Sequence, residues 1–211
     1  GVTKISPERL LDEFKKLVRS DGFLKLPKDR DCLEIINLIF PQLKNIKNFN
    51  NLNNFSKKNI LNFNFIFLIS LMVIDGTDNV DYFIYKFKIS KKDQKRLLFL
   101  NKFYSQKITT KTFSINNLNK ILYFNGREAL KDIIYFKIFK SKKEDINLIA
   151  MIEMFKEKEI PLLPLRAITL MTKYNVPEGK ELGEKLKKIE EFWVDNNFQI
   201  QERDVKKIIN N

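Results

Sequence analysis

Hydrophobic residues recur along this chain at separations of three and four, the spacing of one face of an α-helix. The first such segment follows Ser6-Pro7-Glu8, which combines a capping side chain, proline at the first helical position and an acid near the positive end of the helix dipole. No strand-like alternation occurs, so we predict an all-α fold, an irregular array of about eight to ten helices without a sheet. Further helices are predicted at 31–40, 65–74, 91–104, 115–124, 128–139, 144–158 and 182–193.

Turn-forming residues mark the breaks between these helices. Residues 44–64 are rich in Asn and Phe and are predicted to be a loop that passes into a helix, and Asp75-Gly76-Thr77-Asp78 is typical of a turn. Pro161 and Pro164 each disfavour a helical conformation at the preceding residue. The prolines therefore predict a domain boundary at 159–166.

Positive charge is concentrated in the middle third of the chain. Residues 82–143 carry 16 Lys and Arg against 3 Asp and Glu, whereas residues 1–81 have a net charge of +2 and residues 144–211 one of −2. The chain is rich in Lys, Asn, Ile and Phe, and the composition of an AT-biased genome is an equally good account of the total of +13. Such a bias spreads charge evenly, however, so the local excess favours a polyanionic partner.

Basic residues in this segment have helix-like separations of three, four and seven, which predicts one basic stripe along a helix. A stripe of this kind neutralises phosphates without reading base sequence, so it predicts an affinity that falls steeply with salt. The candidate RNA-binding residues are Lys88, Lys91, Lys92, Lys95, Arg96 and Lys102, joined by Lys137, Lys140, Lys142 and Lys143 at the end of the segment.

Aromatic residues are interleaved with the basic stripe, and two interpretations of them are open. They can stack on unpaired bases of a nucleic acid. Aromatic side chains at helical spacing more often belong to a hydrophobic core, however, and that interpretation is favoured. The residues concerned are Tyr82, Phe83, Tyr85, Phe87, Phe99, Phe103 and Tyr104.

The residue types exclude several kinds of chemistry. The chain has no histidine and a single cysteine, Cys32, which excludes Ser-His and Cys-His nucleophile pairs, His-ligated metals and an internal disulfide. Asp29 and Asp31 are better explained by helix capping than by a two-metal site, and 75–81 by a solvated turn than by a calcium loop. The apolar run at 65–74 is about half of the ~20 residues that span a bilayer, which indicates a buried helix.

Three segments resemble the class II tRNA nucleotidyltransferases, which add CCA to tRNA 3′ ends, and the related bacterial poly(A) polymerases. Ile5–Phe14 resembles the Ser-x-Glu-Arg-x-x-x-Glu motif of that family, and Leu33–Leu43 resembles its usual sequel. Leu122–Glu128 resembles the Tyr-x-x-Gly pattern of the body domain. Val176–Gly183 and the following Leu186–Trp193 resemble the Pro-x-Gly-x-x-x-Gly motif and helix of the tail.

The resemblance implies three domains: the end of a neck domain at 1–43, a body domain at 44–158 with an RNA-facing segment at 82–143, and a tail domain at 159–211. Arg9 and Glu13 would brace the neck helix that supports the nucleotide pocket, while body and tail hold the acceptor and T arms of tRNA. In the family, the catalytic head domain with its Mg²⁺ and its CTP or ATP lies before this point. The chain begins with Gly, and we expect a cytoplasmic fragment that holds no cofactor and is inactive alone.

One departure and one alternative accompany the resemblance. After Pro164 this chain has Ala167-Ile168-Thr169 where the family usually has Gly-x-Asp, which puts the RNA contacts of the tail in doubt. The alternative interpretation is a helical scaffold whose basic face binds an acidic protein. An independent enzyme would need convergent carboxylates for acid-base work, and the sequence indicates none.

Overall fold

In the computed structural model, which describes residues 5–20 and 22–210, the chain folds into α-helices joined by short 3₁₀ turns and loops. No strand occurs in these two ranges, which confirms the predicted all-α fold. The chain divides into two compact units. The first unit comprises Gly1–Ile108 and Lys131–Lys156, and the second comprises Thr109–Leu130 and Glu157–Asn211.

The helices follow the predicted order, with three additions that the hydrophobic spacing did not single out, namely α5, α9 and α11. Helix α8 and the second half of α7 belong to the first unit, whereas the first half of α7 belongs to the second unit. The helices are α1 (Pro7–Val18), α2 (Arg30–Ile39), α3 (Asn54–Asn59), α4 (Phe65–Val73), α5 (Asn79–Phe87), α6 (Lys91–Ser105), α7 (Ile115–Lys140), α8 (Ile146–Lys156), α9 (Ala167–Tyr174), α10 (Lys180–Asp195) and α11 (Glu202–Ile209).

Helix α4 forms the centre of the first unit. Every one of its residues is buried, as expected for a helix that is apolar on all sides, and it packs against α5 and α6. The hydroxyl of its one polar residue, Ser70, donates to the Phe67 carbonyl at 2.6 Å. Within the described part of the chain, no helix is long and apolar enough to cross a bilayer.

Side-chain caps start several helices where the sequence predicts them. The Ser6 hydroxyl accepts a hydrogen bond from the Arg9 amide at the start of α1. The Asp29 carboxylate accepts from the Cys32 amide at 3.0 Å and caps α2, which confirms the capping interpretation of this acid. The Asp75 carboxylate accepts from Thr77 in an exposed turn, and the described residues contain no cluster of acids suited to a metal.

Helix α7 is interrupted at Gly126, between the two helices predicted at 115–124 and 128–139. The backbone there has φ 81° and ψ 171°, a conformation that residues with a Cβ atom rarely adopt. This kink lies near the point where the chain passes from the second unit to the first. The backbone conformation therefore favours glycine at position 126.

The second unit is built around α10. Leu182 and Ile189 on α10 are buried together with Leu170 from α9 and Val205 from α11. The first half of α7 joins this unit, because the Tyr123 hydroxyl donates to the Glu190 carboxylate at 2.6 Å. Residues 109–130, expected in the body, thus cluster with the residues expected in the tail, whereas the limit at 156–157 lies close to the predicted boundary.

Candidate nucleic-acid interface

The excess of positive charge belongs to the first unit. Its residues carry 26 Lys and Arg against 15 Asp and Glu, whereas those of the second unit carry 13 against 11. All of the predicted RNA-binding residues lie in the first unit. The local field is therefore a property of one compact body and not of the chain as a whole.

Helix α6 displays three of the predicted lysines on one side. Leu97 and Leu100 are buried against the core, and Lys91, Lys95 and Lys102 are exposed. With 3.6 residues per turn, the three lysines lie within about 40° of one another around the helix axis, opposite the two leucines. These lysines are called the α6 lysine face below.

The ammonium groups of the α6 lysine face have no carboxylate partner among the described residues. Several lysines of the second unit differ, since Lys185 pairs with Glu181 at 2.9 Å and Lys206 with Glu202 at 3.2 Å on neighbouring turns. Pairing of this kind cancels charge locally, whereas the α6 lysine face remains uncompensated. Such a face is suited to a phosphate backbone.

Arg96 departs from its predicted role in the basic stripe. Its guanidinium donates to both carboxylate oxygens of Asp132 on α7, at 2.5 and 2.6 Å. The Asp132 side chain is 6% exposed and that of Arg96 26%, so the pair lies partly inside the first unit. Arg96 is one residue past Lys95 and therefore points about 100° away from it, towards α7. Its charge joins two helices and is engaged within the protein.

The remaining predicted lysines lie around α6 or at the end of α7. Lys88, which ends α5 with a left-handed backbone, and Lys92 are both exposed. Lys137 is half-buried on α7, and Lys140 donates to the Ile74 carbonyl at 3.5 Å. Partial burial lowers the pKa of the Lys140 ammonium. Lys142 and Lys143 are exposed in the turn that follows α7.

Most aromatic residues of the basic segment belong to the core, as expected. Phe83 and Phe87 are fully buried, and the Tyr104 hydroxyl donates to the Ile133 carbonyl at 2.6 Å. Burial raises the pKa of Tyr104. Phe99 and Phe103 are half-buried. Tyr82 and Tyr85 differ, because they are 60% and 84% exposed.

Arg9 and Glu13, the two residues implied by the neck motif, lie on the exposed side of α1. The Glu13 carboxylate pairs with Lys16 at 2.8 Å, and the hydrogen bond from Lys16 lowers the pKa of Glu13. The structure thus gives Glu13 a partner on its own helix. Bracing of a nucleotide pocket by Arg9 and Glu13 stays a prediction.

Asp132 is the site residue that the sequence did not suggest. It lies between Leu130 and Ile133, and an acid inside an apolar helical run is a signal that a basic partner is buried nearby.

The sequence matches no protein-family model, and it matches no curated protein. The candidate interface therefore rests on the geometry and charge of the chain itself.

Proposed function

We propose that this chain binds RNA through the α6 lysine face. The observation that carries the proposal is that Lys91, Lys95 and Lys102 are exposed on one side of a capped helix without a carboxylate partner among the described residues. Lysine ammonium groups placed in this way contact phosphates, which all RNA sequences share. Lys88, exposed at the end of α5, and Lys92, exposed in the first turn of α6, extend the contact.

The RNA in this proposal is tRNA. The chain corresponds to the C-terminal region of a class II tRNA nucleotidyltransferase or bacterial poly(A) polymerase, and it holds the acceptor and T arms while a catalytic head domain outside these 211 residues extends the 3′ end. Mg²⁺ and CTP or ATP belong to that head domain, and the role is cytoplasmic. The chain alone is expected to add no nucleotide.

Backbone geometry supports the motif resemblance on which the choice of tRNA depends. Ser6 of the first motif caps α1 by accepting from the Arg9 amide. Gly126 of the second motif and Gly179, the first glycine of the third motif, have φ values of 81° and 136°. Only glycine adopts such φ values readily, so the backbone conformation explains why these two motif positions are glycine.

The test compares two triple charge reversals. Lys91→Glu, Lys95→Glu and Lys102→Glu together remove the α6 lysine face. The control reverses an equal number of exposed lysines in the 3₁₀ turns of the same unit, Lys25, Lys28 and Lys47. At about 1 kcal/mol per lost phosphate contact, the first variant should bind tRNA about 100-fold more weakly at low salt.

The control variant should retain most of the affinity for tRNA, measured by fluorescence anisotropy with a labelled tRNA. Equal losses in the two variants, or no binding by the wild type at low salt, contradict the proposal. Binding of polyglutamate as tightly as tRNA would instead favour the acidic-protein partner. Circular dichroism of each variant checks that both remain folded.

A further inference from the structure

Two tyrosines on α5 are exposed in a unit that buries most of its aromatic residues. Tyr82 and Tyr85 are 60% and 84% exposed, whereas Phe83 and Phe87 on the opposite side of the helix are buried. Neither tyrosine has a ring contact or a hydroxyl hydrogen bond within the described residues. An exposed aromatic pair without partners offers its ring faces to a ligand.

An exposed lysine follows Tyr85 at the end of α5. Lys88 follows Tyr85 by three residues and is exposed directly after the last residue of α5. The left-handed backbone at Lys88, with φ 46°, then turns the chain into α6, which begins at Lys91. Lys86 takes no part, because its ammonium donates to the Ile39 carbonyl at 2.9 Å.

We propose that Tyr85, assisted by Tyr82, stacks against an unpaired base of the RNA whose backbone the α6 lysine face holds. The inference rests on the proposed function and narrows its substrate class to RNA with a single-stranded segment. A base inside a duplex has both faces covered by its neighbours, whereas an unpaired base presents a ring face to an aromatic side chain. Lys88 contacts the phosphate of the stacked nucleotide.

Charge on α5 gives Tyr85 the larger role. Asp78 and Asp81 lie at the N-terminal end of the helix, beside Tyr82, and repel a phosphate backbone there. Tyr85 lies one turn nearer to Lys88 and α6. The RNA backbone therefore follows α6 to its start and ends its contact near Tyr85.

Two apolar side chains are also exposed on α2, whose end is bonded to α5. Ile35 and Leu38 on α2 are exposed, and the hydrogen bond from Lys86 to Ile39 joins the end of α2 to α5. A protein partner would also use such a surface. Lys88, which follows Tyr85 and precedes the α6 lysine face, favours RNA, because it complements a phosphate and would remain uncompensated under an apolar protein surface.

The test uses one RNA hairpin in two forms, blunt-ended and with a single-stranded 3′ extension. Tyr85→Leu keeps an apolar side chain but removes the aromatic ring, and should bind the extended hairpin about tenfold more weakly. Its affinity for the blunt hairpin should equal that of the wild type. Tyr85→Phe keeps the ring and should retain binding to both. Phe124→Leu, at an exposed aromatic of the second unit, is the matched control.

Equal losses for both hairpins, or no loss for either, overturn the inference. Tyr85→Trp adds a direct readout, since the new indole fluorescence should be quenched by the extended hairpin more than by the blunt one. If Tyr85→Leu abolishes self-association in sedimentation and leaves RNA affinity unchanged, the tyrosines form a protein contact and stacking is refuted. RNA binding that depends on the α6 lysine face but not on Tyr85 defeats only this inference. No RNA binding at low salt defeats the proposed function itself.

Discussion

Replacement of Arg96 by methionine is expected to destabilise the protein, although Arg96 lies in the stripe predicted to bind RNA. In the structure its guanidinium holds the carboxylate of Asp132 through two short hydrogen bonds. Methionine has a similar length but neither charge nor donors. The substitution therefore leaves the 6% exposed Asp132 carboxylate without this counter-charge.

The expected loss is about 3 kcal/mol in the free energy of unfolding. Removal of one partner from a buried ion pair costs ~3–5 kcal/mol, and the lower end applies because Arg96 is 26% exposed. With a urea m value of about 2 kcal/mol/M, the unfolding midpoint falls by about 1.5 M. Joint replacement of Arg96 by methionine and Asp132 by leucine should restore most of this loss, since an apolar pair needs no compensation.

Urea unfolding followed by far-ultraviolet circular dichroism measures both variants. A loss below about 1 kcal/mol for Arg96→Met, or a double variant that is no more stable than Arg96→Met, refutes the structural role of the pair. Folded Arg96→Met should also bind tRNA nearly as tightly as the wild type. A loss of affinity as large as that of Lys95→Gln would show that Arg96 contacts RNA.

Two further predictions concern hydrogen bonds inside the first unit. Tyr104→Phe removes the donation to the Ile133 carbonyl and should cost about 1 kcal/mol at neutral pH. Because burial raises the folded-state pKa of Tyr104, its contribution is complete below pH ~10, the unfolded pKa, and is lost as pH rises towards the folded value. In urea unfolding, the free energy of unfolding of the wild type should therefore fall more steeply with pH above ~10 than that of Tyr104→Phe. Equal slopes against pH contradict this. Asn53→Ala removes the buried side chain that donates to the Ile138 and Ser141 carbonyls and accepts from the Ser56 amide, and should cost about 3 kcal/mol in thermal unfolding. A loss below about 1 kcal/mol shows that water replaces these bonds.

Local signals in the sequence predicted much of the fold, because their causes are local. Ser6, Asp29 and Ser90 cap the helices that follow them through bonds to residues three positions away. The separations of Lys91 and Lys95 placed both on one side of α6, whatever that helix packs against. The caps and the spacing needed no knowledge of tertiary structure.

Features that depend on distant residues were not predictable in this way. The direction of Arg96 is determined by Asp132, 36 residues later in the chain. Helices α9 and α11 have eight residues each, and the burial of Leu170 and Val205 in the core of the second unit stabilises helices too short to persist alone. The spacing of Tyr82 and Phe83 separated two faces of α5, but packing against α1 and α6 decided which face is buried.

The salt dependence of tRNA binding tests the central claim most directly. Each phosphate contact contributes about −0.7 to −0.9 to the slope of log K against log salt concentration. Lys91→Gln, Lys95→Gln and Lys102→Gln together should therefore make the slope of the wild type shallower by about 2 to 3, without changing which tRNA is bound. Identical slopes for the wild type and this variant would contradict the assignment of the α6 lysine face to the RNA backbone.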